Sequence, residues 1–212
     1  MARTVDPLFG HLRGRIGNVV VYRMNGKMVV RSRPSGKRKP ATGKLKQSQD
    51  VFRTVMAKMS AVRMLVNFGF DAVAVNRPAF HAAVSENLNR YRQVPDTDQR
   101  HWLLLSHGTR AQAADWSCGL SGNHLQVSWG DNQASGASHD SDRLVVFLVQ
   151  KHGKEALLLP FVVRRSDRQA FIDILPSYCN CGCDCFAAFY TCETMPKKHP
   201  SVISDSVWAG GW

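Results

Sequence analysis

Four cysteines at alternate positions, Cys179, Cys181, Cys183 and Cys185, are the densest cluster of reactive side chains in the 212-residue sequence. On a strand, two-residue steps turn all four thiols to one side. In a loop containing Gly182, the same thiols wrap a thiophilic ion such as zinc or copper(I). Structural zinc sites, however, use Cys-x-x-Cys pairs brought from two places, and only Cys192 and His199 lie nearby. The expectation is therefore reduced thiols ahead of a buried strand, with Cys185 and Cys192 filling core. Metal ligation by the four is the lesser alternative, and a partial disulfide formed on isolation is a third. Six cysteines in a chain this long, four of them crowded together, make a poor disulfide framework.

Other catalytic patterns are missing. Ser121 in Gly119-Leu120-Ser121-Gly122 lacks the Gly-x-Ser-x-Gly spacing of a nucleophile elbow. The eight histidines, at 11, 81, 101, 107, 124, 139, 152 and 199, include no His-x-x-x-His pair. His139, Asp140 and Asp142 fall in a Ser/Gly-rich loop, where polar residues are expected in any case. A triad assembled from distant residues stays open as the third-ranked reading. No catalytic residue and no cofactor is assigned.

Charge is the informative feature. Residues 1–49 hold 12 of the 28 Lys and Arg but only one of the 16 acids, Asp6; the remaining 163 residues are nearly balanced, at +1. The net charge of +12 thus belongs to the first quarter of the chain, where a polyanionic partner would sit. Gly10, Gly14 and Gly17 lie among His11, Arg13 and Arg15. Their spacing matches no Walker or dinucleotide fingerprint, so turn chemistry is favoured over a phosphate loop.

These residues need elements to position them. Residues 18–24 and 27–33 are β-rich runs separated by Asn25-Gly26, the strongest local hairpin signal. A two-residue turn sets Met24 opposite Lys27, Tyr22 opposite Val29, Val20 opposite Arg31 and Asn18 opposite Arg33. One face then carries Tyr22, Lys27, Arg31 and Arg33, the other Val19, Val21, Met28 and Val30 with Arg23 at its end. Such a ribbon enters a major groove or lies along a single strand, with the tyrosine stacking on a base. Charges solvated on an exposed edge are the bland alternative. Residues 34–49 read as a basic tether carrying Lys37, Arg38, Lys39, Lys44 and Lys46.

Beyond the tether, Phe52, Val55, Met56, Met59, Val62 and Val66 form the stripe of an amphipathic helix capped by Asp50 and stopped at Asn67-Phe68-Gly69. A second helix starts near Asn76-Arg77-Pro78, with stripe Phe80, Val84, Leu88 and Tyr91 and with His81 exposed. From residue 101 the pattern turns to short strands: 102–106, 125–129, 144–151, 156–164, 169–175, 185–192 and 204–209, with Trp116 and Trp129 as core aromatics. Strands at this spacing point to a β-sandwich, immunoglobulin- or fibronectin-like.

Three stretches carry a family resemblance. They are Gly14-Arg15-Ile16-Gly17-Asn18-Val19-Val20 with Tyr22, Asn25-Gly26-Lys27 and residues 29–34; residues 78–87; and Ser204-Asp205-Ser206-Val207-Trp208-Ala209-Gly210. Together they resemble an uncharacterised protein family common in Bacteroidota, a domain of unknown function. The resemblance implies no catalytic residue, and the cysteine cluster departs from its pattern.

The expected architecture is α+β: a basic arm, hairpin and tether over 1–49, a helical pair over 50–95 and an immunoglobulin-like sandwich over 100–212. The expected function is non-enzymatic nucleic-acid binding of low sequence specificity. Arg13, Arg15, Arg23, Lys27, Arg31, Arg33, Lys37, Arg38 and Lys39 would contact phosphates, and Tyr22 would stack on a base. The partner under this reading is DNA or RNA. The alternative is a structural or assembly protein whose arm docks on a neighbouring subunit, in a homo-oligomer, or on an acidic protein. No run reaches the roughly 18 apolar residues of a membrane helix, and the N-terminus lacks a signal core, so a soluble cytoplasmic protein is expected.

Overall fold

The computed structural model describes residues 2–4, 13–24, 26–33, 42–94, 98–130, 138–151, 155–191 and 202–212. Two compact units emerge, residues 1–42 and residues 43–212.

The first unit is an antiparallel sheet of β1 (Ala2–Thr4), β2 (Gly14–Ile16), β3 (Val19–Met24) and β4 (Lys27–Ser32), in the order β1-β4-β3-β2. The expected hairpin is its centre, with Met24 opposite Lys27, Tyr22 opposite Val29 and Val20 opposite Arg31. The Arg33 amide donates to the Asn18 carbonyl at 2.7 Å, completing the expected register. Gly26 has φ +74, as the turn requires; Asn25 lies outside the described residues.

Residues 14–16, expected in a loop or arm, instead form β2. Ile16 pairs with Val19 across the two-residue turn Gly17-Asn18, and Gly17 has φ +56 at the first turn position, where a type II′ turn takes glycine. A second short hairpin is thus fused to the first.

The second unit is α+β and layered. α1 (Lys44–Ala61) begins six residues before Asp50, so the last part of the expected tether is helix; residues 34–41 of the tether lie outside the described residues. Asp50 does not cap the helix but binds Arg53 one turn on, at 2.9 Å. Val55, Met59, Val62 and Val66 are buried as the stripe predicts, whereas Phe52 is 48% exposed. The helix breaks at Val62, and α2 (Arg63–Gly69) follows. α3 (Ala79–Gln93) starts where Pro78 predicts and leaves His81 exposed.

The larger sheet contains β7 (Arg143–Gln150), β8 (Ala156–Arg164), β10 (Cys183–Thr191), β11 (Val202–Ile203) and β12 (Val207–Gly211). β10 is central, pairing with β7 on one side and with β11 and β12 on the other. β5 (Ser117–Ser121), β6 (His124–Ser128) and β9 (Gln169–Asp173) form a second sheet, of which β5 was not expected.

β7 and β10 are buried on both faces, which is why they read as continuous apolar runs. Val145, Phe147, Phe186 and Ala188 pack against α1, α2 and α3. Leu144, Val146, Cys185 and Phe189 pack against Leu125, Val127 and Ile172 of the second sheet. Trp116, Trp129 and Phe189 form an aromatic cluster there, with ring centroids 5.2–5.6 Å apart.

Residues 102–106, expected as a strand, are different. α4 (Gln99–Trp102), capped by Asp98, gives way to a buried extended stretch whose amides bond to side chains. The Leu104 amide donates to Asn87 Oδ1 (2.7 Å), and the Leu105 amide to Ser206 Oγ (2.8 Å). Of the expected strand 204–209 only residues 207–209 are strand, as the start of β12, because residues 204–206 serve this contact. Ser206 Oγ accepts from Leu105 and Ser106, and Ser204 Oγ accepts from the Phe189 amide at 2.9 Å. Asp205 accepts from the Gly108 amide and binds the His107 ring at 2.8 Å. The Ser-Asp-Ser run thereby satisfies buried backbone donors that no strand partner reaches.

Candidate nucleic-acid interface

Strand pairing builds the site within the first unit. Residues directly opposite one another share a face. Arg15, Val20 and Arg31 lie in one row across three strands. The next row holds Tyr22 and Val29, with Arg3 opposite Val29 on β1. Lys27 lies one row further on, toward the hairpin tip, and Arg33 lies beyond the other end of β4.

Arg15, Lys27, Arg31 and Arg33 are exposed and Tyr22 is half-buried, while Val29 in the same row is 2% exposed. Val29 anchors the face, because long basic side chains lay their stems over apolar surface and keep their charges in water. The Arg31 guanidinium carbon lies 5.7 Å from the Tyr22 ring centroid, a cation–π distance. Asp6 is the only acid in residues 1–49, so the cations of this face have almost no local carboxylate to neutralise them. From Lys27 to Arg33 the strand runs about 20 Å.

The structure brings together Arg15, Tyr22, Lys27, Arg31 and Arg33. Arg23, paired with Met28, belongs to the opposite face, where Val21 and Met28 are buried. Arg13 immediately precedes β2. Lys37, Arg38 and Lys39 lie outside the described residues. The sequence signal for Arg15 on this face was Gly17-Asn18 itself, a two-residue turn of hairpin type.

The cysteines separate. Cys179 ends a short helix, α5 (Pro176–Cys179), and Cys181 is exposed in the following turn. Cys183 and Cys185 occupy β10 and are fully buried, Cys183 Sγ lying 3.5 Å from the Tyr178 carbonyl it donates to. Burial pushes the Cys183 thiol up to about 11. The four thiols therefore share no single face, since the chain is helix and turn until residue 183. Among the described residues, no three His, Cys, Asp or Glu side chains form a group able to hold a metal ion. Cys192 and His199 lie outside the described residues.

Several polar groups of the second unit are engaged in structure. Asp142, fully buried, accepts from the Thr191 hydroxyl (2.6 Å) and the His139 amide (3.1 Å) and lies 3.5 Å from Arg110. Arg165, 7% exposed, donates to the carbonyls of Ala111 and Gln112. A cleft of about 470 Å³ is lined by Lys58, Gln99, Lys151 and Asp184 among others. There Asp184 accepts from Gln99 and from the Trp208 indole (3.2 Å), and burial lowers the Lys58 ammonium. None of these was singled out as a site from sequence, because each depends on chain segments far apart.

No described helix is long and apolar enough to cross a membrane. The chain matches none of the curated proteins. Residues 11–197, spanning most of the first unit's sheet and nearly all of the second unit, match the model of a family of unknown function (DUF6266), and the chain belongs to that family.

Proposed function

We propose that this chain is a non-enzymatic nucleic-acid-binding protein of low sequence specificity, and that the N-terminal sheet is its contact surface. The observation that carries this reading is the one-signed face of Arg15, Lys27, Arg31 and Arg33 around Tyr22. Phosphates pair with exposed cations and release counterions, so affinity falls steeply with salt. Arg13, Lys37, Arg38 and Lys39 add phosphate contacts, and Arg23 adds charge from the other side of the sheet. The second unit is scaffold, its two facing sheets supporting the immunoglobulin- or fibronectin-like reading. The compartment is read as cytoplasmic, the setting in which free thiols stay reduced.

The test is titration of labelled DNA and RNA with the full chain over a range of salt. Replacing Arg15, Arg31 and Arg33 together by Gln lowers the slope of log K against log salt by about 2–3. Binding with an unchanged slope defeats the proposal.

An assembly role is the second reading, favoured by Phe171 at 65% and Leu175 at 61% exposure on and just beyond β9, an edge strand. A defined oligomer or a protein partner that survives nuclease treatment supports it. A monomer at all concentrations counts against it.

A further inference from the structure

We infer that the basic sheet takes a single-stranded polynucleotide and does not read a duplex through its major groove. The inference rests on the nucleic-acid reading above and names its ligand. An isolated two-stranded ribbon fits a major groove about 12 Å wide. Here the ribbon is not isolated. At the row of Val21 and Val30, β2 contributes Gly14 on one side and β1 contributes Ala2 on the other. Four strands at about 4.8 Å spacing place the outer backbones about 14 Å apart before any side chain is added. The face is wider than the groove.

Nor does the hairpin tip reach in. β1 pairs with β4 as far as Met28, so on that side only the Met24–Lys27 pair and the turn at Gly26 extend beyond the flanking strand. Two residue steps advance about 7 Å, against a groove depth of about 8.5 Å. A flexible single strand has no such constraint and can lie along the face.

The chemistry of the face agrees. Tyr22 stands between the Arg15–Val20–Arg31 row and Lys27, an aromatic ring among cations. That combination stacks bases and tracks phosphates without reading sequence. Arg31 lies over the ring of Tyr22, and Val29, opposite Tyr22 on the same face, is buried. In a duplex the bases are already stacked, and the ring has nothing to take.

The experiment compares a labelled mixed-sequence DNA strand, the RNA strand of the same sequence and the DNA duplex, each titrated with the full chain at low salt. Both single strands, or one of them, bind more tightly than the duplex, and the better of the two identifies the natural source. Tyr22→Leu, which keeps a bulky apolar side chain without a π face, weakens single-strand binding about five- to hundredfold and leaves the duplex unchanged. Tyr22→Phe keeps wild-type affinity, and the unchanged duplex binding of Tyr22→Leu shows that its loss is not one of folding. A duplex preference, or single-strand binding untouched by Tyr22→Leu, overturns the inference while the nucleic-acid reading stands. No binding to any of the three probes removes both.

Discussion

Asn87 and Leu104, 17 residues apart, exchange two hydrogen bonds: Asn87 Nδ2 donates to the Leu104 carbonyl at 2.9 Å, and the Leu104 amide donates to Asn87 Oδ1 at 2.7 Å. A buried amide thus acts as a one-residue strand, closing the backbone of an extended segment against α3. Asn87→Ala leaves both groups of Leu104 buried and unpaired, at about 1–3 kcal/mol each. The expected loss is about 2–5 kcal/mol, read as a lowered midpoint in urea unfolding.

Gly108 meets the β11 region without room for a side chain. A Cβ there would lie 2.0 Å from the Ile203 carbonyl oxygen. Gly108→Ala must push two backbones apart, and a loss of about 1–3 kcal/mol is expected. Differential scanning calorimetry reads this as a fall of about 2–4 °C per kcal/mol for a chain of this size.

Face, and not charge alone, decides binding under the proposed function. Arg31 and Arg23 carry the same charge on opposite faces of the sheet. Arg31→Gln lowers the salt slope by about 0.7–0.9, the share of one phosphate contact. Arg23→Gln lowers it by less. Equal effects of the two would show that the sheet acts only through its general field.

Two groups set pH limits. Asp98 is held down at about 2 by its hydrogen bond from Arg100. Its contribution is complete above the ordinary carboxyl range near 4 and is lost as pH falls through about 2. Asp98→Asn flattens this acid limb of thermal stability. Cys183 is raised to about 11, so its contribution is complete below about 9, the range where an unfolded thiol ionises, and is lost as pH rises toward 11. Cys183→Ala removes that alkaline limb. The wild-type protein is expected to melt at constant temperature between the two windows as far as these groups are concerned.

Legibility followed the range of the interactions. The central hairpin register was readable because a two-residue turn and a period of two leave one solution. The buried stripe Val55, Met59, Val62 and Val66 was readable by its spacing although the helix breaks at Val62 between α1 and α2, yet Phe52 sits on the same stripe and is exposed, since a stripe says nothing about where its partner ends. β5 carried too little β-branched character to stand out, and the 102–106 run looked like a strand because buried extended chain is apolar whatever bonds it makes.

The amino-acid sequence alone determined the placement of charge, the paired register of Tyr22 with Val29 and Val20 with Arg31, and the division of the ribbon into a basic and an apolar face. These depend on neighbours within a few residues. Tertiary structure alone decided that β1 adds to the edge of β4, that helices and a second sheet cover opposite faces of β7 and β10, and that Ser204, Asp205 and Ser206 serve residues 105–108. Those pairings join segments up to a hundred residues apart. Loop closure over such distances is indifferent to local pattern, and only the satisfaction of buried backbone groups selects the partner.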